Sequence, residues 1–375
     1  MKWCTYIGSD ARWRVGVGLW LLAATLLPTL GSTVDDVVAT EMKNHGIVGV
    51  SIAIIEDGEI RTAKGYGFTD KSAATRVTTS TLFQAGSVSK PVAALAALRM
   101  VEDGRLSLDD DVNRSLKQWQ VPENKFTKDE KVTLRCILSH SAGLTVHGFP
   151  GYDADSRLPI LRQILDGSKP ANTAAIRVAV VPGSTWRYSG GGYTVMQQMM
   201  IDVTGKSFPE LMQEAVLAPL QMTANTYEQP LPADRVTLAA TGYYPNGKGI
   251  KGKWHIYPEM AAAGLWTTPS DLARFAIRIQ EALAAKSNPV ISSSMTRHML
   301  TVQKGNNGLG LFLNGSGKKL RFDHGGRDEG FDTFLMADAE SGHGVVIMIN
   351  ANDNSGAVNR RVEAVRKEYH WPEAF

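Results

Sequence analysis

Cysteine is almost absent: the 375 residues carry only Cys4 and Cys136. A scaffold built on disulfides is therefore excluded, and a chain of this length buries enough apolar surface without one. Cys136 lies in the apolar-periodic stretch Leu134 to Leu138 and reads as a buried structural thiol. Metal-ligand spacing is also missing. The eight histidines form no His-Glu-x-x-His pair, and Asp109, Asp110 and Asp111 lack the glycine and closing glutamate of a calcium loop, so they read as a loop or helix start. No metal is expected. The absence of any low-complexity tract, heptad run or fixed period removes solenoids and coiled coils. An excess of one charge is lacking too: 40 basic side chains balance 37 acidic ones, the net charge is +3, and the basic residues are scattered. Nucleic-acid binders need a clustered basic face, so no nucleic-acid partner is expected.

The 43% hydrophobic and 21% charged composition is that of an ordinary globular protein, and its length suits one large domain or two. Residues 1–31 read differently. Lys2, Arg12 and Arg14 precede an apolar stretch from Val15 to Leu27, followed by Pro28, Gly31 and Ser32. This is the pattern of a signal peptide with a cleavage zone near Gly31. The stretch is shorter than the roughly 20 residues of a membrane span. The expectation is export to a periplasm or the medium, with membrane attachment only if this segment stays uncleaved as an anchor. Removing residues 1–31, with three basic and one acidic side chain, takes the formal charge from +3 to +1 and removes Cys4.

Residues 48–55 alternate like a strand and run into Asp57-Gly58, a strong hairpin signal, with a second strand from Ile60 to Tyr66. Leu309–Leu313, Phe331–Ala337 and Val345–Asn350 also read as strands, and Asn314-Gly315-Ser316-Gly317 as a turn. Gly356 to Tyr369 has the period of a helix. In the middle, Pro91 to Val101 contains a single polar residue, Arg99, and should be a helix buried nearly all round. Met196, Met199, Met200 and Val203 mark another helix over 193–203, and Ser270 reads as the cap of a further one. The expected fold is α/β: an antiparallel sheet from about 45–85 and 305–350, flanked by terminal helices, with a mainly helical region over about 90–285 inserted. The domain is expected to run over 32–375, with a cleft where the sheet and the helical region meet.

The chemistry gathers in three segments. In Phe83-Gln84-Ala85-Gly86-Ser87-Val88-Ser89-Lys90-Pro91, Ser87 falls at a helix N-terminus and Lys90 follows one turn later on the same face. The helix dipole favours negative charge near Ser87, and an apolar setting would fit Lys90 to act as a base. Alone, Ser-x-x-Lys reads as a capping serine with an exposed lysine. The second segment, Trp186-Arg187-Tyr188-Ser189-Gly190-Gly191-Gly192, sets a tyrosine before a glycine-rich turn and a helix. The third, Asp323-His324-Gly325-Gly326-Arg327, offers paired glycines for close approach of a ligand to the backbone. Alone, these are a core tyrosine and a hairpin turn; together and in this order they point to one site.

On these segments the chain resembles the serine β-lactamase and penicillin-binding-protein superfamily, in the branch of class C β-lactamases, D-alanyl-D-alanine carboxypeptidases and β-lactamase-fold esterases. The resemblance spans roughly residues 35–350 and includes Leu138-Ser139-His140-Ser141-Ala142-Gly143-Leu144 and Ala262-Ala263-Gly264-Leu265-Trp266-Thr267-Thr268-Pro269-Ser270-Asp271-Leu272, both similar to mainly structural stretches of that branch. It implies a β-lactamase-like fold and an acyl-enzyme mechanism without cofactor. Ser87 would be the nucleophile, Lys90 its helper and Tyr188 the proton shuttle. His324, Gly325 and Gly326 take the place of a Lys-Thr-Gly element, and the backbone amides of Ser87 and Arg327 form an oxyanion hole. Two departures stand out. Gly190 replaces an asparagine that holds the substrate amide, and His324 replaces a lysine that binds the substrate carboxylate. A histidine is only partly charged near pH 7, which points away from efficient β-lactam hydrolysis. Arg327 or Arg321 is a candidate replacement anchor.

A carboxylesterase acting on a small ester is the first reading, with a D-amino-acid peptidase or carboxypeptidase acting on amides or peptides, or a β-lactamase, as the alternative. A non-catalytic penicillin-binding sensor is the third. An ordinary α/β-hydrolase is excluded because no serine lies in Gly-x-Ser-x-Gly. Trp119, Phe149, Tyr152, Trp254 and Tyr257 are candidates for an aromatic pocket wall, with core packing as the plainer role for each.

Overall fold

The computed structural model describes residues 33–371 apart from 74 and 287. The leader expected over 1–31 lies outside the described residues. The strands are β1 (Gly49–Glu56), β2 (Glu59–Asp70), β3 (Thr75–Arg76), β4 (Phe83–Gln84), β5 (Trp266–Thr267), β6 (Phe312–Asn314), β7 (Arg321–Asp328), β8 (Phe331–Asp338) and β9 (Gly344–Ile349). The helices are α1 (Val34–His45), α2 (Ser89–Glu102), α3 (Leu134–Leu138), α4 (Leu161–Asp166), α5 (Gly190–Thr204), α6 (Phe208–Met212), α7 (Met260–Ala263), α8 (Pro269–Leu283), α9 (Ser293–Met299) and α10 (Ala357–Glu368). Among the described residues, none of these helices is long and apolar enough to cross a membrane.

The main sheet runs β3-β2-β1-β9-β8-β7-β6, every pair antiparallel. Its centre is two-sided. Ala53 of β1 and Val346 and Met348 of β9 pack towards the helical region, while Val50, Ile52, Ile54, Val345, Ile347 and Ile349 pack towards α1 and α10. The period-2 alternation of a strand sorts these apolar side chains between two cores, which gives three layers: terminal helices, sheet, helical region. The β1–β2 hairpin turns on Asp57 and Gly58, both with positive φ (52° and 75°), as the Asp-Gly pair demands. Helix α1 opens on a capping box between Thr33 and Asp36 and ends at Gly46.

Several boundaries differ from the sequence expectation. Phe83–Gln84 is not part of the main sheet but pairs with β5 as a separate two-stranded ribbon. The strand expected over 309–313 begins only at Phe312, because Gly310 turns at φ 102° and its N–H is committed to Leu138 O. Ser270 does not cap α8: Thr268 does, accepting from Asp271 N, with Pro269 in the first turn. Helix α5 starts at Gly190, so Gly190 to Gly192 form its first turn rather than a preceding loop. Strand β7 was not legible from periodicity, since two glycines and four charged residues depress strand propensity there; pairing with β6 and β8 overrides it. Cys136 is a free, half-buried thiol on α3 rather than a buried one.

Candidate active site

Ser87 sits in a single 3-10 turn, Gly86–Val88, that leads directly into α2. Helix α2 is buried from Ser89 to Leu98, and Lys90 within it is only 1% exposed. A lysine so enclosed needs protein partners. Its Nζ donates to Ser87 Oγ at 2.9 Å and to Ala262 O at 2.7 Å, and lies over the rings of Tyr188 and Tyr193 at 5.1 and 5.8 Å. The β4–β5 ribbon explains how Ala262 reaches this point. It joins the segment before Ser87 to the segment after α7, and Ala85 N–H donates to Leu265 O while Leu265 N–H donates to Ser89 Oγ.

Tyr188 precedes α5, whose start is fixed by Ser189: its Oγ accepts from Gly192 N–H and donates to Thr145 O. The phenol ring lies 4.2 Å from the His140 ring and parallel to Phe312 at 6.5 Å. At Gly190, where the resemblance expects an asparagine, a Cβ would be tightly placed, 3.0 Å from both His147 O and the Phe149 ring, so a side chain there requires a small shift of its neighbours.

Strand β7 passes in front of the Ser87 turn. The contact is close enough to need glycine on both sides. A Cβ at Gly326 would stand 2.0 Å from Ala85 O and 3.0 Å from Ser87 N, and one at Gly86, held at φ 52°, would stand 2.5 Å from Arg327 N. The backbone nitrogens of Ser87 and Arg327 thus each lie close to the glycine of the facing segment. His324 is 1% exposed; its Nδ1 is 2.6 Å from Gly325 O, and no protein partner reaches Nε2. Burial, reinforced by Lys90, pushes its pKa down to about 3. The expectation of a partly charged histidine is corrected: the ring is neutral at pH 7. The Arg327 guanidinium, which lies in the cleft, is held by both carboxylate oxygens of Asp332 and by Asn354 and Asp353 O. Arg321, at the far end of β7, is not among the residues lining the cleft.

The cleft has a volume of about 470 Å³. Ser87, Tyr188, His324, Gly325, Gly326 and Arg327 all line it, so the structure brings these predicted site residues together, with Lys90 directly behind Ser87. None of Trp119, Phe149, Tyr152, Trp254 and Tyr257 is among its lining residues; all five pack in the interior, Phe149 half-buried, and Phe312 and Phe334 are the aromatic walls.

Sequence reasoning missed four residues. Ala262 and His140 fall inside the two stretches read as mainly structural, which are the parts that hold Lys90 and Tyr188. Glu259 and Asp328 are buried carboxyls, and a single acidic residue gives no sequence signal of burial. Burial raises Asp328 well above the usual carboxylate range, against the opposing pull of Lys90 and the Gly86 N–H. Burial likewise raises Glu259 to about 7; its Oε1 meets Tyr152 OH at 3.4 Å and Oε2 has no protein partner. The native state therefore holds the Glu259 proton over a range where the unfolded chain has lost it, and stability falls as pH rises from about 4.5 to 7. Glu259→Gln keeps the neutral form, so its stability relative to the wild type should grow by about 3 kcal/mol between pH 4.5 and pH 8 in urea titrations. An unchanged difference at the two pH values would contradict the raised pKa.

The Ser87 hydroxyl thus meets the buried Lys90 amine in a cleft that Tyr188 also lines, with backbone of strand β7 close by, a grouping of the kind that supports acyl transfer. Among known sequence families, residues 34–368 match the model described as Beta-lactamase. The chain is similar to protein flp of Staphylococcus aureus (strain N315), 23% identical over 329 residues, which cover 85% of this chain and 63% of that protein. It thus spans less than two thirds of that relative. Among solved structures it is similar to the D-alanine carboxypeptidase AmpC from Burkholderia cenocepacia, with TM-score 0.70 and 21% identity over 89% of this chain and 97% of that one. It is also similar to the D-amino acid amidase from Ochrobactrum anthropi SV3, with TM-score 0.69 and 22% identity over 90% and 99%. At these identities the structural likeness shows a shared fold.

Proposed function

This chain belongs to the beta-lactamase family, and from that premise we propose that it is a serine hydrolase that cleaves small carboxylic esters lacking a free carboxylate, through an acyl-enzyme on Ser87. The observation that carries the reading is the buried Lys90 held against Ser87 Oγ and Ala262 O. Ser87 Oγ attacks the ester carbonyl while its proton passes to the Lys90–Tyr188 pair, and the developing oxyanion is received by the amides of Ser87 and Arg327. Collapse expels the alcohol, which takes the proton back. A water then attacks the acyl carbon, giving its proton to the same pair, and Ser87 leaves reprotonated as the acid is released. No cofactor enters these steps. Export of the protein is proposed with this activity, on the leader pattern of residues 1–31.

The preference for an uncharged substrate rests on charge. His324 is neutral where a lysine would meet a carboxylate, and Arg327 is already bound by Asp332. A charge-assisted hydrogen bond contributes about 1.5–3 kcal/mol, so its loss amounts to about 10–100-fold in kcat/KM. A second reading, hydrolysis of D-amino-acid amides or peptides, is favoured by the structural likeness to a D-alanine carboxypeptidase and a D-amino acid amidase. A panel of p-nitrophenyl butyrate, a chromogenic cephalosporin, a D-alanyl-D-alanine peptide and a D-amino acid amide separates these readings. The ester should be turned over fastest. Faster cleavage of the cephalosporin or the peptide would refute the charge argument, and faster cleavage of the amide would establish the second reading.

A further inference from the structure

We infer that His140 is a positioning residue for Tyr188, clasping the backbone on both sides of that tyrosine while its ring lies against the phenol. The inference rests on the acyl-transfer reading above. His140 O accepts from Arg187 N–H at 2.7 Å, and His140 Nδ1 accepts from Ser189 N–H at 3.1 Å. A single residue therefore satisfies the amides immediately before and after Tyr188, and the two rings meet with centroids 4.2 Å apart and planes at 34°. The clasp is itself rigid. His140 is 2% exposed and held at φ 55°, and its ring is 5.4 Å from that of Tyr193, whose hydroxyl donates to Leu138 O.

The residue type follows from the demands of the place. Ser189 N–H is buried and needs an acceptor. A carboxylate would set a negative charge beside the phenol, and a protonated imidazole could accept nothing. A neutral imidazole with its lone pair on Nδ1 and its proton on Nε2 meets both conditions. Burial, with Lys90, His324 and His147 nearby, keeps the ring in that state. Histidine, like asparagine, is among the side chains that accept positive φ, and glycine turns the chain there without steric cost. What the histidine adds over either is a flat surface for the phenol.

The test uses His140→Asn, which tolerates positive φ and retains an acceptor for Ser189 N–H but removes the ring. Turnover of p-nitrophenyl butyrate is measured per active site, titrated with a fluorophosphonate. A loss of positioning should lower kcat by about 10–100-fold with KM nearly unchanged, whereas a merely structural role would lower the titratable fraction and leave turnover per site intact. The second measurement is a double-mutant cycle with Tyr188→Phe, run also on His140→Gly so that it does not depend on one variant folding. Once the phenol hydroxyl is gone, replacing His140 should cost little further, so the two effects should fall well short of multiplying. Wild-type kcat per titrated site, or fully multiplicative effects, would overturn the inference. Ser87→Ala in parallel separates the two levels: ester turnover surviving in that variant would refute the acyl-transfer reading rather than the role of His140.

Discussion

Ser87→Ala should lower kcat/KM for p-nitrophenyl butyrate by at least about 10⁴-fold, as deletions of an acyl-enzyme nucleophile do. The fold should survive, because the side chain contributes one hydrogen bond and Lys90 keeps its second partner, Ala262 O. The expected change in unfolding free energy is about 1–2 kcal/mol, that of leaving one buried donor short of a partner. Kinetics and urea titration on the same preparation check both halves. A folded Ser87→Ala variant with more than a few per cent of wild-type activity would show that Ser87 is not the nucleophile.

Gly326→Ala should cost about 10²–10³-fold in kcat, although the change is one methyl group and touches no side chain of the site. The added Cβ would stand 2.0 Å from Ala85 O and 3.0 Å from the amide nitrogens of Ser87 and Val88. These are backbone atoms, so no rotamer change can relieve the contact. Strand β7 must move away from the Ser87 turn and take the Arg327 N–H with it, and loss of one oxyanion donor carries a cost of about 10²–10³. Gly325→Ala is the internal control. Its Cβ would meet only the Phe334 ring, at 4.0 Å, and should do far less harm. Equal effects at the two positions would mean that the separation of β7 from the nucleophile turn does not govern the rate.

Much of this site was legible in the sequence because its parts are local. Ser87 and Lys90 are one helical turn apart, and the nearly unbroken apolar character of residues 91–101 already implied that the lysine is enclosed. The paired glycines announced a close backbone approach, and at Gly326 the structure shows what approaches: the turn that carries Ser87. The rest depends on tertiary placement. Nothing local says that Ala262 O meets Lys90, 172 positions earlier, or that His140 reaches Tyr188 across 48 residues. The aromatic wall was misplaced for the same reason, since large apolar residues serve core and cleft alike, and burial sent Trp119, Tyr152, Trp254 and Tyr257 to the interior. The charge of His324 could not be read from its identity, because burial rather than residue type fixes it. In the fold, the terminal strands and the C-terminal helix α10 were legible from their periodicity, whereas α1 was not read from it. Strand β7, rich in glycine and charge, has no periodicity of its own; it was expected only from the resemblance, and it is held by pairing with β6 and β8.

Whether Ser87 carries an acyl group during turnover is read by intact-protein and peptide mass spectrometry of samples acid-quenched while p-nitrophenyl butyrate is being hydrolysed. A butyryl adduct should appear on the peptide containing Ser87 within the first turnovers, disappear once the substrate is exhausted, and be absent from Ser87→Ala. Full ester turnover with no adduct under any quench condition, or an adduct on another residue that disappears at the rate of turnover, would contradict an acyl-enzyme on Ser87.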